Sequence, residues 1–203
     1  MSLNKFAIIV ALAAFPAWAQ TDHSRALPDG TSLRADDLNR LTNLNGSLGG
    51  ALRQSFASGD PAAVGLLTYA LSGKAVPPAQ AQGWLSGEWN CQMMKLGGGI
   101  GLTVYQPFRC HAGMNSFEKL TGSQRTVGKT YIWKDQLIYV GTGFIAGDTP
   151  PPYAHLPEAF DHRISPQRAP EVGVIEMISP NQGRIIFPAP YLESHTNVLF
   201  LTR

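Results

Sequence analysis

Hydrophobic positions recur with two different periods along this chain. Between residues 38 and 56, Leu38, Leu41, Leu44, Leu48, Leu52 and Phe56 return every three or four residues, the spacing of a helix with one buried stripe. Ser32 stands where it can cap the first turn, and Asp36 and Asp37 lie near the positive end of the helix dipole. Gly46, Gly49 and Gly50 weaken the middle and predict a kink or break there. Asp60 before Pro61 predicts an N-cap and a first-turn proline for a second helix over residues 62–71, stopped by Ser72 and Gly73. The pair reads as a helical hairpin that buries its stripe on the outside or mouth of the C-terminal domain. Residues 75–82, with Pro77 and Pro78, read as the linker.

From Gly87 onward the period is two. Residues 88–96 alternate Trp89, Cys91 and Met93 against Glu88, Asn90 and Gln92, a half-buried strand with the indole and the thiol facing inward. Further strands are predicted at residues 103–111, 116–120, 127–133, 136–145, 172–178, 183–187 and 197–202. Lys134 and Asp135 form a tight turn, and residues 180–183 a hairpin turn. Residues 97–101 are a flexible glycine loop. Pro150, Pro151, Pro152, Pro157, Pro166 and Pro170 exclude a central strand or long helix over residues 147–170, which leaves a long surface loop. About eight short strands with hairpin-length connections predict a mainly β fold, a small antiparallel eight-stranded barrel or strongly curved sheet with the helical hairpin packed on it. Gly87-x-Trp89 at its first strand resembles the opening of the calycin barrels, which pack that indole across the closed end.

The N-terminus changes where this fold is expected to work. Lys5, the apolar run over residues 6–15 and the small residues Ala17 and Ala19 form a secretory signal peptide over residues 1–19, and Pro16 cuts the run too short for a membrane span. A periplasmic or secreted chain of about 180 residues remains, enough for one core and an appendage: a helical hairpin and linker over residues 20–82, then the barrel over residues 83–203 with the Pro-rich loop at 148–170. Without Lys5 the net charge is close to zero and no basic run exists, so nucleic acid is excluded as a partner, and no membrane span follows the signal peptide. Cys91 and Cys110 are the only cysteines, and an exported chain with an even count is expected to oxidise them to a disulfide. Their spacing fits no zinc site.

Several segments together resemble an exported bacterial family, domain-of-unknown-function family 4893. They are Trp89 to Cys91, Met94 to Gly97, Tyr105, Phe108 to Cys110, the KLTGSQR run at residues 119–125, Gly128, Tyr139 to Gly141, Gly147-Asp148, Gly173 to Glu176 and Pro190 to Ser194. The resemblance implies a signal peptide, a helical N-terminal stretch and the cysteine pair, and brings no activity with it. This chain departs from the family pattern in its Pro-rich insertion after Asp148.

Candidate chemistry is sparse. Lys119, Ser123 and Arg125 surround Gly122 in a turn that either binds an anion through backbone N–H groups and the guanidinium or is structural, with Arg125 paired to a carboxylate such as Glu176 or Glu193. Ser194 and His195 are adjacent and so face opposite sides of a strand, and no GxSxG elbow exists. His155, His162, Glu158 and Asp161 share a loop without a metal-ligand spacing, so no metal is expected; nor does the GGGIG run at Gly97 continue into a nucleotide loop, and no cofactor is expected. The expectation is therefore a non-enzymatic binding module, with Trp89, Met93, Tyr131 and Trp133 contacting a small apolar or amphipathic ligand. The alternative is a protein-interaction or inhibitor module of the cell envelope that uses the Pro-rich loop. An enzyme would need Arg125, Glu176, Glu193 and a histidine in one cleft.

Overall fold

In the computed structural model, residues 25–161, 163 and 168–203 are described. The expected signal peptide, His162 and Pro166 lie outside them. Among these residues nine antiparallel strands follow four α-helices: β1 (Gly87–Leu96), β2 (Leu102–Val104), β3 (Phe108–Ala112), β4 (Ser116–Lys119), β5 (Gln124–Trp133), β6 (Gln136–Ile145), β7 (Arg168–Ser179), β8 (Gln182–Pro188) and β9 (Thr196–Thr202). Each strand from β3 to β9 pairs with the next, β3 pairs with β1, and β1 closes the ring on β9 through the register Asn90↔Thr202 to Leu96↔Thr196. The result is a closed eight-stranded barrel, with β2 added along the end of β1.

Closure follows from the alternation, because each strand has one face for the interior and one for an outer layer. The interior is filled. Trp89, Cys91, Cys110, Phe117, Leu137, Tyr139, Ile175, Met177, Ile185, Phe187, Leu199 and Leu201 form one cluster. Within it the Tyr139 ring meets Phe117 and Phe187 edge to face, each at 5.9 Å between centroids. Cys91 and Cys110 are bonded to each other and sit inside, on paired strands. Closing a loop of this length is worth roughly 3 kcal/mol in the chain-entropy model. Lys134 and Asp135, both at positive φ, make the two-residue β5–β6 turn.

The expected strand over residues 103–111 is two strands. Tyr105, Gln106 and Pro107 interrupt it, and the Gln92 amide fills the gap by donating to the Tyr105 carbonyl at 2.9 Å. Pro170, expected in the loop, lies within β7 opposite Thr142, two residues from the start of the strand, where a proline is tolerated.

The helices differ more from the sequence reading. Helix α1 (Ala35–Thr42) gives way to α2 (Leu44–Ser58) at Asn43, not at the glycines, which lie inside α2. Each helical glycine costs only about 1 kcal/mol, a penalty that tertiary contacts override. Ser32 does not cap α1; Glu158 of the Pro-rich loop does, accepting from the Ala35 N–H at 3.0 Å. Asp60 caps α3 (Pro61–Leu71) as expected, accepting from Ala62 and Ala63. The expected linker contains a fourth helix, α4 (Pro78–Leu85), with proline in its first turn where no donor is lost. Its Ala81 and Leu85 join the interior cluster and plug one end of the barrel.

Helix α1, the segment before it and Tyr153 of the Pro-rich loop cover the outer faces of β5, β6 and β7. Helices α2 and α3 cover β1 and β9 through Ala51, Leu67, Ala70, Met94, Leu96, Val198 and Phe200. The helices therefore clad the barrel as separate layers. No helix among the described residues is long and apolar enough to cross a membrane.

Candidate functional site

Along the inward faces of four strands the apolar residues give way to polar ones toward the end of the barrel opposite α4. On β1 the inward series Trp89, Cys91, Met93 ends in Lys95; on β4, Phe117 is followed by Lys119; on β7, Met177, Ile175 and Gly173 lead to Glu171; on β9, Leu201 and Leu199 lead to Asn197. The polar ends meet at a cavity of about 70 Å³, lined by Lys95, Gln124, Arg125, Glu171 and Asn197 of the barrel and by Arg40 and Tyr191 from outside it.

Each charged group here is held. The Lys95 ammonium, on a residue 4% exposed, donates to Gln124 Oε1 at 2.9 Å and pairs with the Glu193 carboxylate. Lys119 Nζ donates to the Thr121 and Gln124 carbonyls at 2.9 and 2.6 Å and lies 3.8 Å above the Phe108 ring. Arg40 reaches in from α1, donating to the Pro188 and Pro170 carbonyls and to Asp37, with its guanidinium 4.8 Å from the Tyr191 ring. Tyr191 is tied to α1 through its hydroxyl, which donates to Asp36 at 2.5 Å. Glu171 has its room because residue 143 is glycine: a Cβ there would sit 2.7 Å from Glu171 Oε1. Below it, the Tyr139 and Thr126 hydroxyls are hydrogen-bonded at 2.5 Å.

Burial dominates the acidities. It pushes the Glu171 carboxyl up, against the opposing effects of a Thr126 hydrogen bond and the charges of Arg40, Lys119 and Lys95. Burial also pushes the Lys119 ammonium down to about 8, opposed by Glu171 and reinforced by Arg125 and Lys95. Glu171 lines the cavity, and Lys119 lies close enough for its charge to act on that carboxyl. The Lys119 shift has a measurable consequence. Its proton affinity in the folded chain lies below the unfolded value of 10.5, so the unfolded chain binds more protons between pH 8 and pH 10 and stability rises across that window. We expect a gain of about 1–2 kcal/mol between those pH values in urea unfolding, absent in Lys119→Met. An unchanged slope in the variant would place the titration elsewhere. Above pH 10 the sign reverses, because Tyr131 and Tyr191, both pushed up to about 12, hold protons longer in the folded chain.

The residues singled out in the sequence do not gather in one place. Trp89 and Met93 pack in the barrel interior. Tyr131 and Trp133 lie on the outer wall, their hydrogen bonds going to Asp29 and to the Ala26 carbonyl. Tyr131 instead helps line an outer, more apolar groove of about 320 Å³ between β5, β6 and the loop at Pro150 to Ala154. Lys119 and Arg125 do reach the polar end, whereas Ser123 is exposed. The Arg125 Nε donates to the Gly122 carbonyl; Glu176 pairs with Arg184 at 2.5 Å and Glu193 with Lys95, so neither is the carboxylate expected for Arg125. Ser194 is buried on Asn197 while His195 is exposed. His155 is exposed, Glu158 binds Arg25, and Asp161 binds Arg163. Among the described residues no three His, Cys, Asp or Glu side chains come together as metal ligands.

Sequence reasoning misses Lys95, Arg40, Glu171 and Asn197, whereas Gln124 belongs to the turn at residues 119–125 that it singles out. Lys95 carries a signal, since the alternation that faces Trp89, Cys91 and Met93 inward also faces Lys95 inward. Arg40 carries none, because its role depends on where α1 lies against β7. A family model described as a domain of unknown function (DUF4893) matches residues 31–201. No curated protein and no solved structure matches the chain.

Proposed function

The chain belongs to the DUF4893 family, and we propose that it is a non-enzymatic binding module of the periplasm or extracellular space whose barrel mouth holds the anionic head of a small amphipathic ligand. One observation carries this reading: in a barrel otherwise filled with its own side chains, three cations, Arg40, Lys95 and Arg125, converge with the Glu171 carboxyl on the mouth cavity, and the buried Lys95 takes its ion partner, Glu193, from an exposed loop residue. Small-ligand sites combine an apolar wall with a few convergent polar groups. The wall is supplied by Phe144, Ile145, Pro170, Pro190 and Leu192. A cavity of about 70 Å³ holds the volume of roughly two waters, so it takes a head group and leaves the ligand's apolar body at the rim. The Cys91–Cys110 bond suits an oxidising compartment.

The outer groove at Tyr131 is larger but lacks converging polar groups, since Lys129 and Tyr131 both spend theirs on Asp29. Titration with small carboxylates and phosphate monoesters, followed by amide chemical shifts, separates the two. Shifts are expected around Lys95, Gln124 and Asn197, with at least a tenfold loss of affinity, about 1.4 kcal/mol, in Lys95→Gln. Shifts confined to Val127, Tyr131 and Val140 would overturn the reading.

A second reading, an interaction module, is favoured by Phe56, Leu66 and Tyr69, which α2 and α3 leave exposed at 52%, 43% and 57%. Leu66→Lys with Tyr69→Lys should then abolish association with a protein partner while leaving anion binding at the mouth intact.

A further inference from the structure

We infer that the ligand of the mouth is a monocarboxylate and that it binds by taking the place of Glu193 on Lys95. This rests on the mouth being the binding site and names the ligand class it accepts. The Lys95–Glu193 pair is lopsided: the lysine side chain is 5% exposed and the glutamate side chain 45%. A buried ammonium is here neutralised by a carboxylate that comes from a loop on the solvent side.

The backbone of that loop, between β8 and β9, is tied at several points. Its base is closed by the Ala189 N–H on the His195 carbonyl at 3.0 Å, and the His195 N–H is bonded to Leu96 at 2.9 Å. The Glu193 carbonyl lies against Gly98, where a Cβ would come within 2.7 Å of it. The residue is held at φ 69, a left-handed conformation that a glutamate adopts only when its surroundings impose it. The backbone therefore aims the side chain at Lys95, and release needs only side-chain rotation into solvent.

The donors left at the mouth decide the ligand class. Arg40 is committed to Asp37 and to the Pro170 and Pro188 carbonyls, and the Arg125 Nε to Gly122. The exchangeable contact is the one on Lys95, whose remaining partner is Gln124 Oε1. Replacing one carboxylate by another leaves the buried charge unchanged. A phosphate dianion would bring an additional negative charge, beside Glu171, to the one contact that Glu193 vacates. Glu193 thus acts as a tethered competitor that keeps Lys95 paired until a ligand displaces it.

Calorimetric titration with butyrate and with methyl phosphate on the full chain, Lys95→Gln, Glu193→Gln and Glu193→Asp tests this. Butyrate should bind more tightly than methyl phosphate. Its affinity should rise about threefold to tenfold in both Glu193 variants, one lacking the charge and one lacking the reach, and should be lost in Lys95→Gln. Unchanged butyrate affinity in both Glu193 variants, with loss in Lys95→Gln, would overturn the displacement while leaving the mouth as the site. Tighter binding of methyl phosphate would overturn the carboxylate assignment. Equal butyrate binding by the full chain and Lys95→Gln would overturn the mouth itself.

Discussion

Replacing Asp37 with alanine is expected to lower stability by about 3–5 kcal/mol, the range for removing one partner of a buried charge network. Asp37 is fully buried on α1 and accepts from Arg34 at 3.3 Å, from Arg40 at 2.9 Å and from the Tyr153 hydroxyl at 2.6 Å. Alanine would leave both guanidinium groups without their carboxylate. The same site fastens the Pro-rich loop, since the Arg34 N–H also donates to the Tyr153 oxygen and burial beside Asp37 pushes that phenol well above its ordinary range. Tyr153 is thus packed structure within a segment that the sequence presents as surface loop. Urea unfolding measures the loss. Asp37→Asn, which keeps the shape and some of the hydrogen bonds, should lose less stability than Asp37→Ala, and Arg40 should stay at the mouth through the Pro188 and Pro170 carbonyls. A loss below 1 kcal/mol in Asp37→Ala would show that the arginines find other partners and that α1 does not depend on this carboxylate.

Trp89→Ala should cost a comparable amount, about 3–5 kcal/mol, as for other buried aromatic truncations. The indole is 2% exposed at the end plugged by α4, and its Nε1–H donates to the Leu85 carbonyl at 2.6 Å. Arg203 lies over the ring at 4.1 Å and donates to the Ser86, Trp84 and Pro180 carbonyls, so one side chain ties the last residue, α4 and the β7–β8 turn across the closed end. Trp89→Phe should recover part of the stability, lacking only the donor. Both variants should bind butyrate like the full chain once folded, because the mouth is at the other end of the barrel. Lost stability would be read as a lowered midpoint in denaturant. Full stability with lost binding would make Trp89 a ligand contact and move the site.

How far the sequence can be read depends on whether a feature is local. The β5–β6 turn is legible because Lys134 and Asp135 separate two alternating runs, and the α3 start is legible because Asp60 and Pro61 act through their own backbone. The cysteine pairing is legible because a chain with two cysteines has one possible bridge. Helix α4 reads wrongly as linker because Pro77 and Pro78 signal a break, and only its burial in the barrel end shows that Pro78 starts a helix instead. Tyr131 and Trp133 read wrongly as residues of the barrel interior or mouth because aromatic residues on a strand are apolar whichever layer buries them, and period two does not say which face is the interior when both are covered.

By itself, then, the amino-acid string determined a mainly β antiparallel fold, a barrel or strongly curved sheet, with helices packed on it and one bridge, because alternation, turn chemistry and cysteine count act over a few residues. The tertiary structure alone decided which polar groups meet at the mouth. Lys95, Lys119, Glu171 and Asn197 come from four strands far apart in sequence, and Arg40 from a helix on the outside. Their charges meet because the ring closes β9 onto β1 and the β8–β9 loop folds Glu193 back onto Lys95. Electrostatic coupling of this kind depends on distance through space and on burial, and neither is written in the order of the residues.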